Sequence, residues 1–426
     1  MKKFTVAIVG LGGRGYHTYA QYQHIHPERM EIVAIADIDP AKVKLVGDEF
    51  SVPPAFRFDS AESLLSREKL ADVLIIATQD RQHREHALKA LELGYDILLE
   101  KPVSVTARDC IEIREAAKRT GRLVTVCHVL QYTAFYRKIK EIIKSGVIGE
   151  PVTLQAIENV GYWHQAHSFV RGNWRNDEIE SPMILQKCCH DFDILCWLLD
   201  RQCKAVSSFG SLKYFKEENA PAGSGERCVD CKYVDSCPYS AVKIYFDSEV
   251  GLRKGNTGWP CAILVANPTE EKLLDALRKG PYGKCVFRCD NNVVDHQIVN
   301  MQMEDEITVS FTMTAFTAKC YRQLKVMGTL GEIVADQDLN LVTVTPFGGE
   351  STVYDITKLT DDLSGHGGGD NCMLSEMFDA LENHGGMSSS IEHSIASHLI
   401  AFAAEKSRKL GGERILMRDF EADERS

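Results

Sequence analysis

The chain has no surplus of basic residues. Its 49 Lys and Arg face 60 Asp and Glu, a formal net charge of −11. A nucleic-acid partner is therefore not expected, because no excess cation is available to neutralise phosphates. No apolar run approaches the roughly 20 residues that a membrane helix requires, so no membrane partner is expected either. There is no internal repeat and no low-complexity tract. The opening Met-Lys-Lys and the apolar run Phe4 to Val9 resemble the start of a signal peptide. Gly-rich sequence follows at once with no small-residue cleavage pattern, so a buried first strand and a cytoplasmic location are the expectation.

What is present points to a globular chain, with 44% hydrophobic and 26% charged residues. At 426 residues the chain is too long for one ordinary domain. Its 14 cysteines are many. Without an export signal they read as reduced thiols or metal ligands, not as a disulfide framework.

The first 128 residues alternate strand and helix patterns. Phe4–Val9, Glu31–Ala36, Asp72–Ala77, Tyr95–Leu99 and Leu123–Cys127 are short apolar runs, as strands buried on both faces should be. Helical spacing runs from Gln82 to Leu93 and from Ala107 to Thr120, the latter with Thr106 as N-cap and Gly121 as stop. A parallel sheet covered on both faces follows. Past residue 130 comes one more helix, Phe135 to Ser145, and then longer alternating runs. Those at 151–158, 205–212, 293–299, 307–314, 322–327 and 341–345 predict a larger, mainly antiparallel sheet. The expected division is an α/β domain over 1–128 and an α+β domain over 129–426. The second carries a Gly-, Pro- and Cys-rich insertion at about 215–289, and helices over 370–384 and 391–410 close the chain.

Gly10-Leu11-Gly12-Gly13-Arg14-Gly15 follows the first strand, opens a helix, and is answered by Asp37 at the end of the second strand. In that context G-x-G-x-x-G is a dinucleotide-binding motif of the Rossmann kind. Gly10 permits the tight turn, Gly12 admits the pyrophosphate, and Gly15 permits close helix–strand packing. Asp37 would accept from the adenosine ribose and repel a 2′-phosphate, so NAD is expected over NADP.

With these residues in hand, the chain resembles the Gfo/Idh/MocA oxidoreductases. The resemblance extends through Ala77-Thr78 and His83, through Glu100-Lys101-Pro102, through Gly146 to Val152, and to Phe402–Ser407 in the last helix. It implies a nicotinamide cofactor held by Gly10, Gly12, Gly13, Arg14, Gly15, Asp37, Ala77, Thr78, His83, Glu100 and Lys101. It also implies a second domain that carries substrate residues and assembles into a dimer or tetramer. Lys101 lies at the carboxyl end of the fourth strand, where doubly wound sheets place ligands, and is expected to act on the reacting hydroxyl.

The family's second catalytic element, Gly-Gly-x-Leu-x-Asp-x-Gly-x-His-x-x-Asp, meets Ser181 to Asp193 here. His190 and Asp193 match, but Gln186 stands at the acidic position, so the implied Lys–Asp–His trio is incomplete. His190 is the expected acid/base, as its intrinsic pKa lies near neutrality. Gln186 can only orient substrate, and Lys187 and Asp191 are candidates to replace the lost charge. Trp174 and Arg175, in a polar aromatic stretch with His164, His167 and Arg171, are further candidates to line a sugar pocket, as is 291–297.

Cys228, Cys231 and Cys237 form C-x2-C-x5-C, a spacing that lets thiolates grip one metal from a tight turn. Cys285 and Cys289 are the first choices for a fourth ligand, Cys261 the second, and zinc the expected occupant. His366-Gly-Gly-Gly-Asp370 resembles a loop in a branch of the family that cleaves glycosides through NAD-dependent oxidation. The expected function is hydride transfer from a hydroxyl carbon of a sugar, cyclitol or glycoside. The alternatives are a redox-neutral glycosidase or lyase and a non-catalytic NAD-binding sensor.

Overall fold

A computed structural model describes residues 2–361 and 364–425. Among them the strands form two sheets. The first has β1 (Phe4–Val9), β2 (Met30–Ala36), β3 (Arg57–Phe58), β4 (Val73–Ile76), β5 (Asp96–Leu99) and β6 (Val124–Val126), in the order β3-β2-β1-β4-β5-β6. Every pairing in it is parallel. All four residues of β4 are buried, as expected for a strand covered by helices on both faces. The helix Ala107–Thr120 starts at Thr106, whose side chain accepts from Asp109 N, and stops at left-handed Gly121. The two-residue β3 has no sequence signature.

The order reverses between β1 and β4, and this switch point opens a crevice at their carboxyl ends. Gly10 sits there with φ +88, and a Cβ on it would lie 2.4 Å from Ala77 O. The close approach of two strand ends therefore requires glycine.

The second sheet holds β7 (Pro151–Asn159), β8 (Cys203–Ser211), β9 (His296–Met303), β10 (Thr308–Thr314), β11 (Tyr321–Gly328), β12 (Gly331–Asp336), β13 (Leu341–Pro346), β14 (Thr352–Asp355) and β15 (Ile415–Leu416). Its order is β14-β13-β12-β11-β7-β10-β9-β8-β15. The pairings are antiparallel except β10 with β7, which run parallel at the centre. The helices Met183–Leu199 and Ile391–Lys409 cover one face, packing on each other. Alternation in β9 buries Val299, Met301 and Met303 toward them and leaves Ile298, Asn300 and Gln302 on the open face.

Two features go beyond the sequence reading. The insertion, Gly-, Pro- and Cys-rich in sequence, builds its own apolar core between β8 and β9. Phe215, Tyr245, Phe246, Leu273, Leu277 and Phe287 pack there against Trp163 and Val170. The helix Gly369–Asn383, from the C-terminal third, crosses back to cover the first sheet. Its Met373, Leu374, Met377 and Phe378 share a core with Phe4, Val6 and Ile8, and Phe378 stacks on Phe4 at 5.3 Å.

Candidate active site

The glycine loop is shaped for a phosphate chain. A Cβ on Gly12 or Gly13 would meet nothing within 4 Å, so the backbone there faces open space. A Cβ on Gly15 would strike Gly10 O at 1.9 Å, so the turn closes only with glycine. Asp37 receives Leu11 N at 2.6 Å and Asp39 N at 2.8 Å. Its carboxylate thus fixes the loop as well as standing where a ribose would lie. These residues fit a dinucleotide at the switch point.

Arg14, Glu100 and His83, expected on the cofactor, face inward instead. Arg14 Nε meets Glu100 at 2.5 Å, and its two Nη atoms grip Asp370 at 2.6 and 3.2 Å. Tyr19 and Cys127 also donate to Glu100, at 2.5 and 2.7 Å. Burial pushes the Glu100 pKa up, but the Arg14 charge and these donors outweigh it and bring it to about 2. Asp370 reaches about 2 likewise, with burial opposed by His366 and Arg14. The physical reason is pairing: Glu100 and Asp370 are buried carboxylates that need a cation, and the partly exposed Arg14 supplies it. His83 is fully buried and spans Pro102 O at 2.8 Å and Thr78 O at 3.1 Å. It holds the ends of two strands together, while Thr78 Oγ1 is shared with His86. Lys101 alone of this group points into the cleft, where Nζ donates to Gln186 O at 3.0 Å.

The helix Met183–Leu199 divides its polar residues by the i, i+4 rule. Gln186 and His190 share one face, toward Lys101. Lys187 and Asp191 share the next, toward the sheet, where Lys187 pairs with Glu158 at 3.2 Å and Arg322 bridges Asp191 at 2.7 Å and Glu158 at 2.8 Å. Lys187 is therefore occupied by a fully buried carboxylate and does not stand in for the charge lost at Gln186. Cys189 and Asp193 share the third face. Asp193 meets His128 Nδ1 at 2.7 Å and receives Gln131 Nε2 at 2.6 Å. Burial lowers the His128 pKa, but the Asp193 charge prevails and lifts it to about 9.

His190 is buried, and its Nδ1 has no hydrogen-bond partner. Burial, then the positive Lys101, His128 and Arg322, hold its pKa well below the usual histidine value. The expectation of a group titrating near neutrality is corrected: His190 is a neutral imidazole, a proton acceptor. The His366 ring lies 6.4 Å from it and hydrogen-bonds Asp370 at 3.0 Å.

Asp80 escaped the sequence reading. It follows Thr78 by two residues at the same sheet edge and is buried. With the Gln186 amide turned so that its nitrogen faces the acid, the orientation its neighbours demand, it donates to Asp80 Oδ2 at 2.9 Å and accepts from Trp174 Nε1 at 2.9 Å. Burial raises the Asp80 pKa against the opposing charges of His83 and Lys101. A carboxylate is thus present beside the Gln186 position, supplied by the other sheet. Its only signal in the sequence was an acid just past a strand end on the ligand edge. Arg175 is turned away, its guanidinium bound to Asp290 at 2.7 and 3.1 Å on the rim.

A doubly wound sheet with a glycine loop, and a lysine and neutral imidazole facing each other beyond it, defines an NAD-binding dehydrogenase. The comparisons agree. Residues 4–128 match the model of the oxidoreductase family with an NAD-binding Rossmann fold, and residues 140–413 match its C-terminal alpha/beta domain. The chain belongs to this family, the Gfo/Idh/MocA oxidoreductases. A Bacillus subtilis protein named as an oxidoreductase, YteT, is 23% identical over 390 residues, 88% of each chain. An inositol 2-dehydrogenase of Salmonella typhimurium is 28% identical over 182 residues, 42% of this chain and half of that one. An inositol dehydrogenase homologue from Azotobacter vinelandii, solved with NAD+, superposes with a TM-score of 0.69 at 16% identity, covering 97% of both chains. No helix among the described residues is long and apolar enough to cross a membrane.

Proposed function

We propose that the protein oxidises a hydroxyl of a sugar, cyclitol or glycoside. The observation that carries this reading is Lys101 and the neutral His190 facing one cleft beyond the glycine loop. The glycine loop and Asp37 would hold NAD, which when bound would supply a hydride acceptor for the carbon that bears the hydroxyl. Lys101 orients that hydroxyl and stabilises the negative charge that grows on its oxygen. His190 accepts the proton, because burial and its cationic neighbours keep it neutral beforehand. Asp80 and Trp174 fix the Gln186 side chain, which orients substrate. The inositol dehydrogenases among its relatives support a cyclitol or sugar. Asp37 favours NAD over NADP.

A second reading is the redox-neutral glycosidase, favoured by His366 standing beside His190 with Asp370 behind it. Oxidation of a ring hydroxyl would acidify the neighbouring carbon, and a second imidazole could serve the elimination. One assay separates the two. Over a panel of sugars, cyclitols and aryl glycosides, NADH absorbance and aglycone release are followed together. Accumulating NADH supports the dehydrogenase; aglycone release without net NADH supports the second reading; neither, across the panel, defeats both. For assembly, the open face of the second sheet, where Phe209 and Ile298 pair across strands and are exposed, is the proposed dimer surface.

A further inference from the structure

Inside the insertion a cavity of about 30 Å³ is lined by Cys228, Cys231, Cys237 and Cys285, with Arg171 in its wall. We propose that these four cysteines form a thiolate cage for a metal centre, and that its occupant is an iron–sulfur cluster rather than one zinc ion.

Arg171 is the independent sign that something anionic belongs there. It is completely buried. Its Nε donates to Lys284 O at 2.8 Å, and its Nη2 to Tyr239 O at 2.8 Å and to Cys228 Sγ at 3.4 Å. Its Nη1 has no hydrogen-bond partner. Neutral carbonyls and a thiol leave a buried guanidinium charge unbalanced, which is costly. Four thiolates around a metal centre carry net negative charge and supply the balance. Gly225 N also points at Cys231 Sγ, at 3.3 Å, so two of the sulfurs already receive N–H groups. Such bonds stabilise sulfur that bears negative charge.

The fold also selects the fourth ligand. Cys285 N donates to Glu226 O at 2.9 Å, and an isolated bridge pairs Arg227 with Lys284, which brings Cys285 against Cys228. Cys289 lies outside the cage, its thiol on Cys285 O at 3.3 Å, and the Cys261 thiol points to Tyr245 O at 3.5 Å.

Size decides between occupants. Zinc–sulfur bonds are about 2.3 Å, so two sulfurs on one zinc are at most about 4.6 Å apart. Among the described residues, no three of these four sulfurs lie mutually within 4.8 Å. As these side chains stand, the sulfurs ring a void and are not gathered onto one point. A cluster of iron and sulfide takes one thiolate at each of four corners, the number this cage offers. Cys237 is followed by Pro238, as is the last cysteine of ferredoxin-type runs. The sequence leaves Cys285, Cys289 and Cys261 open as the fourth ligand; the bridge between Arg227 and Lys284 favours Cys285.

The test uses the full chain, purified without oxygen or chelator from iron-replete cells. Iron, zinc and acid-labile sulfide are measured per chain, with the visible spectrum before and after dithionite. Roughly four iron and four sulfide, with absorbance that bleaches on reduction, are expected. Cys285→Ser should lose most of both, and Cys289→Ser should keep them. About one zinc without sulfide overturns the cluster. No metal, with all four native thiols open to alkylation, overturns the cage. Equal loss in Cys285→Ser and Cys289→Ser overturns the ligand assignment. The wild-type analysis stands whether or not a variant folds.

Discussion

Arg14 and Arg171 both reach into the fold, Arg14 with 28% of its side chain still exposed and Arg171 with none, and the chain treats them differently. Arg14 has two carboxylates, Glu100 and Asp370, within hydrogen-bond reach. Arg171 has carbonyls and one sulfur. Around Arg14 the protein carries its own counter-charge, and the result is a rigid brace between the glycine loop, the Lys101 strand end and the late His366 loop. Around Arg171 the counter-charge must be acquired, and the insertion is complete only with it. Stability in the cleft should therefore respond to acid–base changes, and stability in the insertion to metal.

The largest effect should come from removing one partner of the self-balanced pair. Glu100→Ala leaves Arg14 with Asp370 alone, strips Tyr19 and Cys127 of their acceptor, and should cost about 1–3 kcal/mol in chemical denaturation. A loss under about 1 kcal/mol would mean that Arg14 finds water instead and that the contrast with Arg171 is false. The same pair sets the acid limb. Glu100 and Asp370 titrate near 2 when folded, below their ordinary 4.5 and 3.8. Their contribution is complete above about pH 4.5 and is lost as pH falls toward 2. His128 works in reverse, with a folded value of about 9 against 6.5. Its contribution is complete below about pH 6.5 and is lost as pH rises through 9, so His128→Gln should flatten the alkaline limb of a thermal-melt profile. An unchanged limb would show that the Asp193 pair is not what protonates it.

Next in size are the groups on the reaction. Lys101→Ala and His190→Ala should each lower turnover by roughly 10²-fold or more while NAD binding, read by calorimetry, persists. Near-wild-type turnover in either removes it from the mechanism. Asp80→Asn should lower kcat by about tenfold, the worth of one charge-assisted hydrogen bond, and alter the pH profile of kcat. An effect confined to thermal stability would make Asp80 structural. The smallest effect belongs to Asp37→Ala, which should narrow the preference for NAD over NADP; tighter NADP binding by the unaltered protein would refute the assignment outright.

Much of the first sheet was legible because its strands are uniform apolar runs, buried on both faces and punctuated by glycine. The glycine loop was legible from its offset to such a strand, whereas Lys101 and His190 were singled out through the resemblance to the family's Glu-Lys-Pro and His-x-x-Asp elements. What was hidden required long-range pairing. Arg14 and His83 look like ligand residues in sequence, and only the fold shows the carboxylates and carbonyls that hold them inward. Asp80 is one acid among 60 Asp and Glu until the helix of Gln186 is laid against it. The strand β14 is only four residues long, and nothing local announces that β7 and β10 run parallel. Cys285 lies far along the chain from Cys237, so its membership of the cage depended on a bridge at Arg227.

The crossing of Gly369–Asn383 onto the first sheet has a consequence for how the chain can be made. Phe4, Val6 and Ile8 leave the ribosome first, but Met373, Met377 and Phe378, which cover them, leave near the end. Until then one face of an otherwise finished sheet stays wet, and the most local, fast-forming part of the molecule waits for its most distant contact. A fragment ending at residue 128 should behave as a sticky intermediate rather than as a free domain. The same helix carries Asp370 to Arg14, so the brace behind the cofactor loop closes only when the whole chain has been delivered.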